Sequence, residues 1–455
     1  MAHTAVIDIG KTNAKVALVD MDSLAEISVA RRPNTVLAGP PYPHYDIDGL
    51  WTFIVDALKS LQADHGIDAI TVTTHGASAV LLDASGDLAA PVLDYEHDGP
   101  DSLAADYDAV RPVFAETGSP RLPMGLNLGA QLFWQFHTWP EMKARTARIL
   151  TYPQYWTYRL CGVAVNEVTS LGCHTDLWHP NARRFSSLVE REGWTDLMAP
   201  PARATDRLGT ILPDIAAYAG LAPETPIYCG IHDSNASLYA HLAERAAPFA
   251  VVSTGTWVIS MAIGGDSGHL DPARDTLVNV NALGDPVPSA RFMGGREFER
   301  LIGASYQPAT DTEIDRVLDD SVMLFPAVET QSGPFQGWTF SWSCDENQMA
   351  PGERHATVSF YLALMTATGL AITGATGPVL VEGPFAANAA YCAMLASATG
   401  RPVHAVSGTG TSGGAALLTG RHVHEKAKET GRRYLPETDM TDYAERWKAA
   451  VNAEA

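Results

Sequence analysis

Near the start of the chain, Val6-Ile7-Asp8-Ile9-Gly10-Lys11-Thr12-Asn13 runs an apolar strand into a turn suited to hold a phosphate. Gly10 lets the backbone turn tightly and bring its N–H groups toward an anion. Lys11, Thr12 and Asn13 add positive charge and hydrogen-bond donors. A second apolar strand, Val16-Ala17-Leu18-Val19, follows at once, so residues 4–20 predict a hairpin. The same design returns in Val251-Val252-Ser253-Thr254-Gly255-Thr256-Trp257-Val258, with Gly255 placed 245 positions after Gly10. Two such turns, one per half of the chain, imply duplicated lobes that grip a nucleotide.

Length and composition fit that reading. A chain of 455 residues is too long for one core and suits two domains of roughly 200 residues each. Hydrophobic residues make up 46%, as in ordinary globular proteins. The net charge of −21 works against binding to nucleic acid or an anionic membrane. The nearest basic run, 421–433, mixes both signs and reads as a solvated helix face. Five widely spaced cysteines without a C-x-x-C pair argue against a disulfide framework or zinc cluster. The short apolar run at the N-terminus is interrupted by Asp8, and the best apolar stretch, 360–372, has the length of a core helix. These features give the expectation of a cytoplasmic protein.

Strand and helix signals alternate, which predicts α/β lobes. In the first half they are a helix over 49–63, a strand over 67–74 ending at His75-Gly76, another at 80–83, and helices over 126–139 and 154–160. The Pro-, Asp- and Gly-rich stretch 196–226 reads as mostly loop. A strand over 227–230 then delivers His232-Asp233 into a helix from 236 to 243. Ala246-Ala247-Pro248 marks the boundary between domains at 1–245 and 246–455. The second half repeats the pattern, with strands at 249–263, a helix over 295–302 and a long apolar helix over 357–373. A strand at 379–383, a helix over 388–399, a strand at 401–406 and a helix from 413 follow.

Asp8 could hold a Mg²⁺ ion that bridges nucleotide phosphates, or could simply organise its turn. Asp233, just after a strand, could be the base that takes a hydroxyl proton during phosphoryl transfer, or a helix N-cap. His75-Gly76 and His232 end two strands, where imidazoles either bond sugar hydroxyls or serve the structure. His174-x-Asp176-x-x-His179 matches no strong metal-ligand spacing. Most of the ten tryptophans read as packing residues, with Trp178 and Trp257 as candidates to stack on a substrate.

These residues resemble, in order and over nearly the whole chain, the FGGY carbohydrate kinases. The resemblance implies two ribonuclease-H-like domains of the actin-like ATPase fold with an active-site cleft between them. Residues 8–13 resemble the family's first phosphate motif, Gly230-Ile231-His232-Asp233 its catalytic block, and 253–257 its second phosphate motif. Phe292-Met293-Gly294-Gly295 and Glu382-Gly383-Pro384-Phe385-Ala386-Ala387-Asn388 fall where relatives hold adenosine.

Thr73-Thr74-His75-Gly76 followed by Leu81-Leu82-Asp83, the His232-Asp233 pair, and Gly255-Thr256-Trp257 lean toward the L-rhamnulose and L-fuculose kinase branch. Three departures stand out. Pro384 and Phe385 occupy a stretch that usually carries adjacent glycines, Thr409-Gly410-Thr411 replaces a Glu-Thr-Thr pattern, and His75 replaces an aromatic residue.

The expected enzyme is an ATP-dependent kinase acting on a terminal hydroxyl of a ketose, of the rhamnulose or fuculose type or a pentulose such as xylulose or ribulose. Its expected nucleotide contacts are Gly10, Lys11, Thr12, Asn13, Gly255, Thr256, Gly294, Gly295, Gly383 and Asn388. His75, Gly76, His232, Asp233 and Asn235 are the expected sugar contacts, and Asp8 with Asp233 the Mg²⁺ ligands. Small-molecule substrates are the expected partners, with a homodimer possible and neither nucleic acid nor membrane bound. The rivals are an actin-like ATPase whose product is conformational change and a catalytically silent sugar-binding regulator.

Overall fold

The computed structural model describes residues 2–303, 306–408, 410–420 and 431–454. Thr409 and most of the basic run, 421–430, lie outside the described residues. The chain forms two compact units that divide after Arg245. Two later segments, Val278–Pro286 and a stretch carrying the helix Gly410–Ala416, pack with the first unit, so the second is not an uninterrupted half.

In the first unit, β1 (His3–Ile9), β2 (Asn13–Asp20) and β3 (Glu26–Pro33) form an antiparallel meander. Helix α1 (Ile47–His65) crosses to β4 (Ala69–Thr74), which pairs in parallel with β1. Helix α1 starts where the Asp46 side chain accepts the Gly49 N–H, and it buries Leu50, Ile54, Leu58 and Leu61 along one face. Helix α2 (Tyr152–Cys161) ends at Gly162, whose left-handed φ of 76° closes it. The sheet then gains β5 (Arg207–Thr210), β6 (Pro226–Tyr228) and the two-residue β7 (Ile231–His232) beside β4. Helix α3 (Asp233–Glu244) follows directly.

The second unit repeats the order. Strands β8 (Phe249–Thr254), β9 (Val258–Ile263), β10 (Thr276–Val280) and β11 (Pro286–Phe292) are joined by β12 (Val379–Glu382), β13 (Val403–Ala405) and β14 (Arg433–Tyr434). The path β11-β9-β8-β12-β13 matches β3-β2-β1-β4-β6, with two antiparallel pairings and then two parallel ones. This is the duplicated ribonuclease-H-like sheet that the resemblance implies. Helix α4 (Gly294–Ile302), α5 (Pro351–Ile372) and α6 (Ala389–Thr399) belong to it, and α7 (Gly410–Ala416) to the first unit. Helix α5 is apolar all round because it is buried all round: Val358, Phe360, Tyr361 and Ala363, spread around its circumference, are covered. It has the length and composition to cross a membrane, yet 83% of its apolar window lies inside the protein.

Two local expectations are corrected. The stretch 196–226 holds β5 and a helix over Pro213–Ala219, because Pro213 stands at the first helical turn, where proline initiates, and Gly220 caps the end. Helix α3 begins at Asp233 rather than Ala236, with His232 in the N-cap position.

Candidate active site

The first turn is held from two sides. Gly10 N–H donates to Asn13 O at 2.9 Å, and Asn34 clasps the loop through its backbone N–H to Thr12 O (2.9 Å) and its amide to Gly10 O (2.8 Å). Thr12 and Asn13 are exposed at the tip. Asp8, Gly10, Thr12, Asn13, Ala14, Lys15 and Arg31 line a cavity of about 200 Å³. Asp8 faces Lys15, its register partner on β2, with Nζ 3.4 Å from Oδ2. Burial pushes the Asp8 carboxyl up to about 6, Lys15 opposes that rise, and the charge of Asp233 adds to it. Asp8 and Asp233 therefore share one electrostatic neighbourhood.

Lys11 points elsewhere. Its ammonium pairs with Asp94 and with Glu96 (3.2 Å) and lies over the rings of Tyr95 (5.0 Å) and Tyr45 (5.4 Å). Lys11 thus has two carboxylate partners, as Lys15 has in Asp8 and Glu26, but Lys15 and Arg31, unlike Lys11, line the cavity at the turn.

His75 sits in a cage of aromatic rings, its centroid 5.1–5.2 Å from those of Tyr45, Tyr95 and Tyr152. Burial lowers it to about 4, so the ring is neutral near pH 7. Its Nδ1 lies 2.8 Å from Gly76 O, a pure acceptor, which places the proton on Nδ1. Buried Nε2 is then an acceptor without a protein partner.

Gly76 keeps room for the other histidine: a Cβ there would stand 2.8 Å from His232 Nε2. That nitrogen lies 3.3 Å from Asp233 Oδ1 and 3.8 Å from Cys173 Sγ, while Asn235 Nδ2 is 3.4 Å from Nδ1. Burial works against an imidazolium, but Cys173, Asp233 and Glu167 together hold His232 up to about 9. Burial likewise works against a thiolate, and the charges of His174 and His232 hold Cys173 down to about 5. Asp233 opens α3, accepts the Ser234 N–H at 2.6 Å and keeps 34% of its side chain exposed. It is not the N-cap, because His232 fills that position.

In the second unit, Gly255 and Thr256 are exposed in a turn closed by Gly255 N–H to Trp257 O at 2.9 Å. Gly295 abuts this turn so closely that a Cβ would stand 2.0 Å from Gly255 O. One at Gly294 would meet Val258 at 2.6 Å. Gly383 takes φ 83°, with Thr254 O 2.0 Å from the place of a Cβ, so β12 passes tightly against the end of β8. Phe385 turns inward, packing on Phe298 and Tyr391, and its backbone N–H donates to Thr254 Oγ1. Asn388 caps α6, accepting the Tyr391 N–H at 3.1 Å while its amide donates to Ser359 Oγ at 2.9 Å. Trp257 lies under the Arg291 guanidinium, at 4.9 Å.

The first unit brings Asp8, Lys15, Asp233, His232 and His75 into one neighbourhood, while Asp176 of the His174-x-Asp176-x-x-His179 run serves structure. Asp176 is wholly buried and accepts from Arg111, Tyr107, Thr117 and Asn127. Sequence reading missed Lys15, although placing the turn at residues 10–13 of a hairpin sets it opposite Asp8. It also missed Asp94 and Glu96, which no local pattern marks.

The sequence matches the N-terminal domain of the FGGY family of carbohydrate kinases over residues 4–240 and the FGGY C-terminal domain over 246–429. The chain belongs to the FGGY carbohydrate kinase family. It is similar to a solved carbohydrate kinase from Novosphingobium aromaticivorans, at 37% identity and a TM-score of 0.90, covering 100% of this chain and 99% of that one. It is 26% identical to an L-fuculokinase of Salmonella typhi over 58% of this chain and 57% of that protein. A rhamnulokinase of Enterobacter sp. (strain 638) is 24% identical over 56% and 53%. The chain spans little more than half the length of those two curated relatives.

Proposed function

We propose that this FGGY kinase transfers the terminal phosphoryl group of ATP to a terminal hydroxyl of a ketose of the L-fuculose and L-rhamnulose type. The observation that carries the reading is Asp233: a carboxylate about one-third exposed at the head of α3, backed by the buried His232 ring and electrostatically linked to Asp8. A carboxylate so placed can accept the hydroxyl proton as the sugar oxygen bonds to phosphorus and the bond to the ADP oxygen breaks.

Asp8 and Asp233 fit a divalent cation. Burial and Asp233's charge make the ionised Asp8 costly, a cation relieves that cost, and two carboxylates with phosphate oxygens suit Mg²⁺. When bound, the ion neutralises phosphate charge. Lys15 and Arg31 line the small cavity beside Gly10 and would add positive charge to a phosphate there. Thr12 and Asn13 at its tip offer further donors there, and the second unit's own turn presents Gly255 and Thr256. Gly383, with Gly294 and Gly295, remains the proposed adenosine contact.

On the sugar side, His75 Nε2 offers an acceptor to a substrate hydroxyl, with the Tyr45 and Tyr152 rings packed against the imidazole. The substrate class is supported by the names of the L-fuculokinase and rhamnulokinase relatives. A screen of ADP release over ketoses, pentuloses and polyols tests it. Turnover highest with L-fuculose or L-rhamnulose supports the reading. Sugar-independent ATP hydrolysis, or turnover restricted to pentuloses or glycerol, contradicts it.

A further inference from the structure

The turn that presents Asp233 is weakly held by the sheet. Strand β6 meets β4 in register at Ile227 opposite Ile70, and β7 meets it again at Ile231 and His232. Between them Gly230 takes φ 81°, with Val72 O only 2.4 Å from the place of a Cβ. The chain bulges there: the Cys229 N–H keeps a backbone partner in Asp206 O at 2.9 Å, while the Cys229 and Gly230 carbonyls and the His232 N–H turn to side chains.

Two arms of hydrogen bonds take them up. In one, Gln154 Nε2 donates to Cys229 O (2.9 Å) and Gly230 O (3.3 Å). The Thr151 hydroxyl donates to Gln154 Oε1 at 2.6 Å, and the Thr151 N–H donates to Asn166 Oδ1 at 2.7 Å. In the other, the His232 N–H donates to Thr169 Oγ1 at 3.1 Å, and the Thr169 hydroxyl and N–H both donate to Glu167 Oε2. Gln154, Asn166, Glu167 and Thr169 are all fully buried.

A buried carboxylate is an expensive way to support a turn, since apolar packing is often the more stable choice. Glu167 even leaves Oε1 without a partner, and burial pushes its carboxyl up to about 7. The bonded atoms of a buried polar network are directional and hold one geometry where apolar contacts would tolerate slippage. We infer that these two arms, rooted on the adjacent residues Asn166 and Glu167, position the turn that presents Asp233, with Gln154 and Thr169 as the gripping residues. Both are positioning residues that act through Asp233, so the inference rests on the assignment of Asp233 as the base.

The test measures kcat and sugar KM for L-fuculose and L-rhamnulose, with unfolding midpoints, in Thr169→Val, Thr169→Ser, Gln154→Met and Asp233→Asn. Thr169→Val and Gln154→Met should each lower kcat about 10- to 100-fold with the sugar KM changed by less than about twofold. Thr169→Ser, which keeps the hydroxyl, should return kcat to within about threefold of the parent enzyme. Parent-level kcat in Thr169→Val and Gln154→Met overturns the inference, as does an equal loss in the Val and Ser variants. If Thr169→Val does not fold, Gln154→Met decides. Full turnover in Asp233→Asn shows instead that the base is misassigned, whatever the clamp variants do.

Discussion

Lys15 Nζ stands 3.4 Å from Asp8 Oδ2 across the first hairpin, in a register that pairs the two residues directly. Lys15 also reaches Glu26 at 2.9 Å, so this cation, which lines the cavity beside Gly10, serves two carboxylates. Lys11, its neighbour in sequence, spends its charge on Asp94 and Glu96. The division of labour between these lysines shapes how the account is tested.

Lys15→Met removes the cation that offsets Asp8 and lines the cavity beside Gly10. Steady-state kinetics with ATP varied should show kcat/KM for ATP falling about 10-fold or more, with the sugar KM near its original value. A variant that loses sugar affinity while keeping its ATP kinetics would place Lys15 outside the phosphate site.

Asp8 makes a pH dependence explicit. Its folded value of about 6 lies above the ordinary 3.8, so between the two the folded chain holds the proton that the unfolded chain releases. The stability tied to that proton is fully present below 3.8 and lost as pH rises through about 6. A Mg²⁺–nucleotide needs the ionised carboxylate, so its affinity should rise over about one unit on either side of pH 6 and then level off. Titration calorimetry with Mg²⁺ and a non-hydrolysable ATP analogue checks this, and Asp8→Asn should abolish the dependence. A flat profile in the parent protein would remove Asp8 from the metal site.

Asn388 separates a structural role from a nucleotide contact. Both ends of its amide are used, one on Tyr391 N–H and one on Ser359 Oγ. Asn388→Ala should lower the unfolding free energy by about 1 kcal/mol, the ordinary cost of losing an N-cap. Because the side chain is already engaged, the ATP KM should stay near its original value. Urea unfolding and ATP kinetics on one preparation decide between the roles.

The sheets were the most legible part of the chain, because strand–turn–strand segments around Gly10 and Gly255 carry continuous apolar runs with a glycine at a fixed offset. From those runs the duplicated hairpin could be anticipated, whereas the sheet order followed only from the family resemblance, and the strands Glu26–Pro33, Thr276–Val280 and Pro286–Phe292 went unread. The stretch 196–226 was less legible, since Pro213 and Gly220 read as breakers in isolation yet act as the start and stop of a short helix.

In the site, Asp8, Asp233, His75 and His232 could be picked out because each lies at or next to the end of a strand. Side-chain direction could not: nothing local says that Lys11 turns to Asp94, 83 positions away. Nor does any local signal say that Phe385 packs inward between Phe298 and Tyr391 instead of blocking a nucleotide. Glu167 and Thr169 were invisible for the same reason, since their partner His232 lies 63 residues beyond Thr169.

The account stands or falls with Asp233. The most direct measurement is single-turnover phosphoryl transfer from ATP to L-fuculose or L-rhamnulose by Asp233→Asn, on protein whose unfolding midpoint matches the parent. The account predicts a loss of about 100-fold or more in the chemical step with ATP still bound. Transfer at the parent rate would contradict it.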